Sequence, residues 1–172
     1  RLGEEQLVGV VAVRPVGDKT RGARAGHRHG AHAVAVDVAV DVQRDIPGFA
    51  DEQKRVIAAT LDGVRIVCGY FPNGQAVGSE KFAYKLQWLA ALTGWLRGEI
   101  ARHPALVLAG DFNIAPEDRD AHPDWKDEIH VSAPEREAFR TLLGIGLVDA
   151  FRAFEQPEKT FSWWDYRMLA FR

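Results

Sequence analysis

The sequence predicts a layered α/β fold, because segments typical of strands and of helices alternate along one chain. Three segments carry this prediction: a hairpin over residues 55–71, an amphipathic helix over 79–102 and a short apolar strand over 105–110. The chain has 172 residues, of which 47% are apolar, and this suits one compact domain or a large part of one.

The hairpin prediction rests on Asp62-Gly63, which lies between two β-rich segments, 55–61 and 64–71. Asp-Gly in this position is a strong hairpin signal, since a type I′ turn needs positive φ at both central residues. Pro72-Asn73-Gly74 then ends the second strand in a turn.

The helix over 79–102 has apolar residues at helical spacing, a predicted N-cap at Ser79 and a stop at Pro104. A second helix is predicted to begin at Pro134 and to run to about residue 143. The almost wholly apolar segment 105–110 is typical of a central strand buried on both faces. Shorter β-like segments follow at residues 147–151 and 160–164.

Composition excludes several classes of protein. The net charge of −2 excludes a uniformly basic coat for nucleic acid but leaves room for a local basic groove. The single cysteine, Cys68, excludes a disulfide framework and is expected to point into the core. No apolar segment is long enough for a membrane helix, so we expect a cytoplasmic protein with no membrane partner.

Residues 1–41 differ from the rest of the chain, since all 17 aromatic residues lie at Phe49 or later. His27, His29 and His32 cluster in this segment. They are interpreted either as a metal loop or, with more weight, as part of a solvated low-complexity segment. The alternation of valine over residues 34–42 could form a strand.

Two predicted strand ends carry the residues suited to chemistry: Tyr70 with Asn73, and Asp111 with Asn113. A carboxylate can orient or deprotonate a water molecule, and a carboxamide can donate to a developing oxyanion. This set suits attack by water on a phosphodiester with the help of a hard cation. The alternative is structural, because Asp111 and Asn113 can form an Asx-turn after a strand.

From about Val42 to Arg172 the chain resembles exodeoxyribonuclease III, of the exonuclease–endonuclease–phosphatase superfamily. The resemblance rests on short motifs in a fixed order: 45–49 (DIPGF), 55–58 (RVIA), 70–74 (YFPNG), 81–85 (KFAYK), 110–116 (GDFNIAP), 146–152 (GLVDAFR) and 161–167 (FSWWDYR). It implies a four-layered α/β sandwich, here partial, in which two mixed sheets pack face to face between helices. Residues 42–172 would form this domain, incomplete at its C-terminus.

The resemblance also implies a function and roles for residues. The family removes nucleotides from 3′ ends of duplex DNA and incises at abasic sites with Mg²⁺ or Mn²⁺, and we expect a monomer. Catalysis would fall to Asp111, which activates water, Asn113, which stabilises the phosphorane-like oxygen, and Tyr70, which contacts the scissile phosphate. Asp111 and Asn113 would also face the metal. The DNA contacts would be Asn73, Lys81, Lys85, Trp163 and Arg167. Trp163 is chosen over Trp164 as the ring that faces the sugar because alternate residues of a strand face opposite sides. A shift of one residue would reverse this choice.

The chain departs from the family pattern at both ends. The early Asn and the Gln-Glu metal ligand are missing, as are the late Asp and the Ser-Asp-His segment. We therefore expect weak metal binding and impaired hydrolysis. One hypothesis is that residues 1–41 are an out-of-frame or disordered segment. Two further functions stay open: an inactive DNA-binding remnant, and a phosphoesterase that acts on a substrate other than DNA.

Overall fold

The computed structural model describes residues 9–13, 38–125, 128–158 and 160–163. Its elements, in chain order, are β1 Gly9–Val13, β2 Val40–Arg44, β3 Val56–Leu61, β4 Val64–Tyr70, α1 Glu80–Arg102, β5 Leu106–Asp111, α2 Ala133–Leu143 and β6 Leu147–Asp149. The predicted α/β class is confirmed. The described strands form one mixed sheet with two helices, which corresponds to part of the expected sandwich.

The predicted hairpin is confirmed. β3 and β4 pair antiparallel from Val56↔Gly69 to Leu61↔Val64. Asp62 has a φ of 49° and Gly63 a φ of 77°, the positive pair that a type I′ turn requires.

Helix α1 also begins and ends as predicted. The Ser79 side chain accepts a hydrogen bond from the Phe82 backbone N–H at 3.1 Å, which satisfies one of the unpaired donors of the first turn. His103 is the C-cap, directly before Pro104. Within the described part of the chain, no helix has the length and apolarity that crossing a membrane requires.

The sheet order is β2-β3-β4-β5-β1-β6. Among the described strands, only β4 and β5 pair in parallel, which requires a long crossover between them, and α1 provides it. Both helices pack on one face of the sheet, where Val67 and Leu108 join a buried core with Leu92 of α1 and Leu142 of α2. A core between one sheet face and a helix layer is the basic unit of a layered domain.

The other side of the sheet, which we call the open face, carries Ile57, Cys68 and Tyr70. Ile57 is 49% exposed and Cys68 is exposed, so the prediction that Cys68 points into the core is wrong. Val107 and Ala109 of β5 are half-buried, so this strand is fully buried on the helix side alone. Cys68 is exposed, and β5 is fully buried on one face alone, because alternate side chains of a strand point to opposite faces of the sheet.

The N-terminal part of the chain contributes to this sheet. β1, from inside the segment 1–41, pairs antiparallel with β5 and with β6. Residues 14–37, including the three clustered histidines and much of the valine alternation, lie outside the described residues. The proposed division at residue 41 therefore stays a prediction. Residues 160–163 are not a strand, so strand parity does not choose between Trp163 and Trp164, and Trp164 also lies outside the described residues.

Candidate active site

The ends of β4 and β5 bring two of the predicted catalytic residues together. These parallel strands finish at the same edge of the sheet, and their register pairs Tyr70 with Asp111. Paired residues of neighbouring strands point to the same face, so both side chains lie side by side on the open face. Ligands of α/β sheets collect at the carboxyl ends of strands, where this pair is found.

The phenol of Tyr70 is accessible, since the residue is 52% exposed. The guanidinium of Arg55 lies over its ring at 5.3 Å from the centroid, and Arg55 Nη1 donates to the Tyr70 carbonyl at 3.2 Å. A fixed positive charge beside an accessible hydroxyl donor suits an anionic group such as a phosphate. Sequence reasoning missed Arg55, because no local signal distinguishes it from other basic residues at the start of a strand.

Asp111 and Asn113 form the Asx-turn that the sequence left open. The Asn113 N–H donates to Asp111 Oδ1 at 3.0 Å, and Asn113 Nδ2 donates to Asp111 Oδ2 at 3.2 Å. Asn113 is 2% exposed, and its Nδ2 also donates to the Phe71 carbonyl at 3.0 Å. Asn113 therefore joins the loops after β4 and β5, and a role as donor to a phosphoryl oxygen requires its side chain to turn outward.

Burial raises the pKa of the Asp111 carboxyl above its ordinary range, although the Asn113 N–H and the charge of Lys85 oppose the shift. The ionised form of Asp111 is thus less stable in the folded chain than in the unfolded chain. A carboxylate in this environment is a better proton acceptor than an exposed aspartate.

This shift predicts a pH-dependent effect of Asp111→Asn on stability. An acid whose pKa is raised by folding carries a cost at high pH, which disappears below its unfolded pKa of about 3.9. The difference in unfolding free energy, variant minus wild type, should therefore rise with pH above about 4 and level off beyond the folded pKa. Urea denaturation across this pH range measures it, and a difference that does not change with pH would contradict the raised pKa.

Asn73 is exposed and lies at the tip of the loop after β4. Its Oδ1 accepts from the Gln75 N–H at 3.0 Å, and its Nδ2 lies 3.2 Å from His130 Nε2. An exposed carboxamide three residues after Tyr70 fits the predicted contact with a neighbouring phosphate.

The structure does not place Lys85 as a DNA contact. Its side chain has no exposed surface, and its Nζ pairs with Glu135 Oε1 at 2.5 Å. The same nitrogen donates to the carbonyls of Asn113 at 2.6 Å and Asn73 at 3.3 Å. Burial lowers the pKa of Lys85, and the charges of Glu135 and Asp111 act in the opposite direction. Lys85 thus links the loops after β4 and β5 through hydrogen bonds to their backbone carbonyls.

The other predicted DNA contacts differ in their surroundings. Lys81 is exposed, four residues before Lys85 on α1. Trp163 is half-buried, and its ring packs against Trp125 at 5.0 Å and His130 at 5.1 Å between centroids. Arg167 lies outside the described residues.

The fit to a divalent cation is incomplete. Asp111 offers a hard carboxylate oxygen of the kind that Mg²⁺ prefers. Asn113 presents its Nδ2 to Asp111, and a carboxamide nitrogen is not a ligand for a hard cation. Over the described ranges, no group of three His, Cys, Asp or Glu side chains is arranged to hold a metal ion. Asp111 is thus a suitable ligand, but the described residues form no complete metal site.

Besides Arg55, sequence reasoning missed two further residues, Glu135 and His130. Glu135 was detectable, because Ser132 and Glu135 form a capping box at the start of α2. His130 carried no signal, since it lies in an irregular loop and reaches Asn73 across 57 residues of chain.

Comparisons with known proteins find a family profile, curated relatives and solved structures that resemble this chain. Residues 7–170 match the sequence profile of the Endonuclease/Exonuclease/phosphatase family. An exodeoxyribonuclease of Bacillus subtilis is 34% identical over 120 residues, which cover 68% of this chain and 47% of that protein. Exodeoxyribonuclease III of Haemophilus influenzae is 32% identical over 70% of this chain and 51% of that protein. The chain spans about half the length of these relatives.

Solved structures show the same fold. A 3′ phosphatase, NExo, from Neisseria, bound to a product DNA hairpin, is 46% identical with a TM-score of 0.74, over 78% of this chain and 54% of that chain. An AP endonuclease from Archaeoglobus fulgidus is 33% identical with a TM-score of 0.68, over 77% of this chain and 52% of that chain. Because the profile matches residues 7–170 of this 172-residue chain, the chain belongs to the Endonuclease/Exonuclease/phosphatase family.

Proposed function

We propose that this chain carries part of the active site of a DNA-repair phosphodiesterase of the exodeoxyribonuclease III type. Its substrates would be duplex DNA with a 3′ end or an abasic site. The observation that carries the proposal is the register of β4 and β5, which sets Tyr70 beside Asp111 at one sheet edge. The names of the relatives support the same substrate class, since they include exodeoxyribonuclease III, an AP endonuclease and the DNA repair nuclease APEX1 of Danio rerio.

Each described residue has a defined task in this proposal. The Asp111 carboxylate orients the attacking water and accepts its proton. The Tyr70 hydroxyl, next to the Arg55 guanidinium, donates to a non-bridging oxygen of the scissile phosphate. Water forms the new P–O bond, the P–O bond to the leaving oxygen breaks, and that oxygen takes up a proton. Asn73 holds the next phosphate along the strand.

A divalent cation, Mg²⁺ or Mn²⁺, would neutralise charge on the phosphate when bound. Asp111 would hold it together with ligands from outside the described residues. Because the described residues form no complete metal site, we further propose that this chain binds the cation weakly and hydrolyses DNA slowly. We also propose that the protein is monomeric and cytoplasmic.

A second candidate is a DNA-binding protein without turnover. It is favoured by the buried side chain of Asn113, whose Nδ2 is already donated to Phe71 and Asp111. In this arrangement the exposed Asn73 can still bind phosphate, but Asn113 does not donate to the transition state.

The experiment is cleavage of duplex DNA that carries a single abasic site, and of 3′-recessed duplex, with Mg²⁺ or EDTA. Wild type is compared with Asp111→Asn, and binding is followed in parallel by fluorescence anisotropy. We expect metal-dependent cleavage that falls by about 10²-fold or more in the variant, the range for a lost general base. Binding without cleavage would favour the second candidate. Cleavage that survives EDTA or the Asp111→Asn substitution would overturn the mechanism.

A further inference from the structure

His130 lies between two of the predicted DNA contacts. Its side chain is 3% exposed, its Nε2 is 3.2 Å from Asn73 Nδ2, and its ring packs against Trp163 with centroids 5.1 Å apart. Its backbone carbonyl accepts from the Ala115 N–H at 2.8 Å. One residue thus links the loop after β4, the loop after β5 and the segment that carries Trp163.

The backbone of His130 is in the left-handed region, with a φ of 77°. This conformation is uncommon for a residue that has a Cβ and is found most often where the surrounding contacts enforce it. In this conformation the imidazole contacts Asn73 and Trp163.

The hydrogen bonds of Asn73 determine which way its amide faces. Its Oδ1 accepts from the Gln75 N–H, and only the oxygen of a carboxamide can do so. Its Nδ2 therefore faces His130 and must be the donor. It follows that His130 Nε2 is the acceptor, so the imidazole carries its proton on Nδ1 and is neutral in this arrangement.

We propose that His130 is a positioning residue for the DNA contact made by Asn73. A carboxamide nitrogen carries two hydrogens, and the bond to His130 uses one of them. The second hydrogen is thereby aimed out of the loop, where a phosphate oxygen can accept it. Because the His130 ring also packs on Trp163, the phosphate contact of Asn73 and the ring of Trp163 are held at a set separation. This inference rests on the proposed function of the site.

The test distinguishes the role of the acceptor nitrogen of His130 from the role of its aromatic ring. His130→Phe keeps an aromatic ring against Trp163 but removes Nε2, and His122→Phe, at an exposed histidine, is the matched control. Binding to an uncleaved duplex with a tetrahydrofuran abasic analogue is measured by fluorescence anisotropy in EDTA, with Asn73→Ala and the double variant. Melting curves verify that each variant is folded.

We expect Asn73→Ala and His130→Phe each to weaken binding by about tenfold, as for one hydrogen bond to a charged group. His130→Phe should have no further effect when Asn73 is already alanine, because it acts through that residue. Effects that multiply, or unchanged binding by the single variant His130→Phe, would overturn the proposal. His122→Phe should bind like wild type.

A second measurement keeps this inference separate from the proposed function. Nitrogen-15 NMR of the DNA-free protein shows which ring nitrogen of His130 carries the proton. A proton on Nδ1 is expected, and a proton on Nε2 would refute the inference whatever the DNA result. If the tautomer is as expected and wild type does not bind DNA, the proposed function fails and the Asn73–His130 contact stands.

Discussion

Replacing Lys85 with methionine is expected to lower the free energy of unfolding by about 3–5 kcal/mol, the range for breaking a buried ion pair by removing one partner. The side chains of Lys85 and Glu135 are both fully buried and meet at 2.5 Å. Methionine has a similar volume but leaves the Glu135 carboxylate without its cation. It also leaves the Asn113 and Asn73 carbonyls without their shared donor.

Urea denaturation of Lys85→Met and of Lys81→Met measures this effect. Lys81 is exposed on the same helix, and its replacement should change stability by no more than about 0.5 kcal/mol. Replacing Glu135 by glutamine in the Lys85→Met background should recover part of the loss, since the unpaired buried carboxylate at this position is then removed. Equal effects of Lys85→Met and Lys81→Met would show that the pair is not buried in solution.

Replacing Gly110 with alanine is expected to destabilise the protein by more than about 3 kcal/mol, since it combines backbone strain with overpacking. Gly110 is the next-to-last residue of β5 and has a φ of 136°. A Cβ added there would lie 1.9 Å from the carbonyl oxygen of Gly69, its partner in the parallel register. A backbone atom of a paired strand cannot move aside as a flexible side chain can, so the ends of β4 and β5 would have to separate.

The matched control for this variant is Gly94→Ala. Gly94 lies within α1, and a Cβ there would have no atom within 4 Å. This substitution should stabilise the protein by up to about 1 kcal/mol, the difference in helix propensity between glycine and alanine. Thermal unfolding of both variants measures the contrast, and a Gly110→Ala protein as stable as wild type would contradict the described approach of the two strands.

The same separation of strands would affect the site, because Gly110 directly precedes Asp111. We therefore expect any folded Gly110→Ala protein to have lost the side-by-side placement of Tyr70 and Asp111, and with it the binding of DNA. A variant that binds DNA normally while losing stability would show that the site tolerates this displacement.

The sequence by itself determined the local elements. The turn at Asp62-Gly63 and the capping of α1 by Ser79 depend on the conformations open to a few neighbouring residues. The order of motifs was sufficient to identify the family. The position of Asp111 at the end of a strand could also be predicted, because the apolar segment before it is a local pattern.

Only the tertiary structure decided which residues face outward and which are buried. Lys85 was predicted to contact DNA, but it is buried against Glu135 of α2, and that partner is 50 residues away. Cys68 follows the buried Val67, and two adjacent apolar residues do not reveal which face the helices cover. The contact between His130 and Asn73 likewise depends on how distant loops pack. Local rules establish which elements form, whereas burial and partnership depend on contacts between residues far apart in the chain, and the sequence alone does not order those contacts.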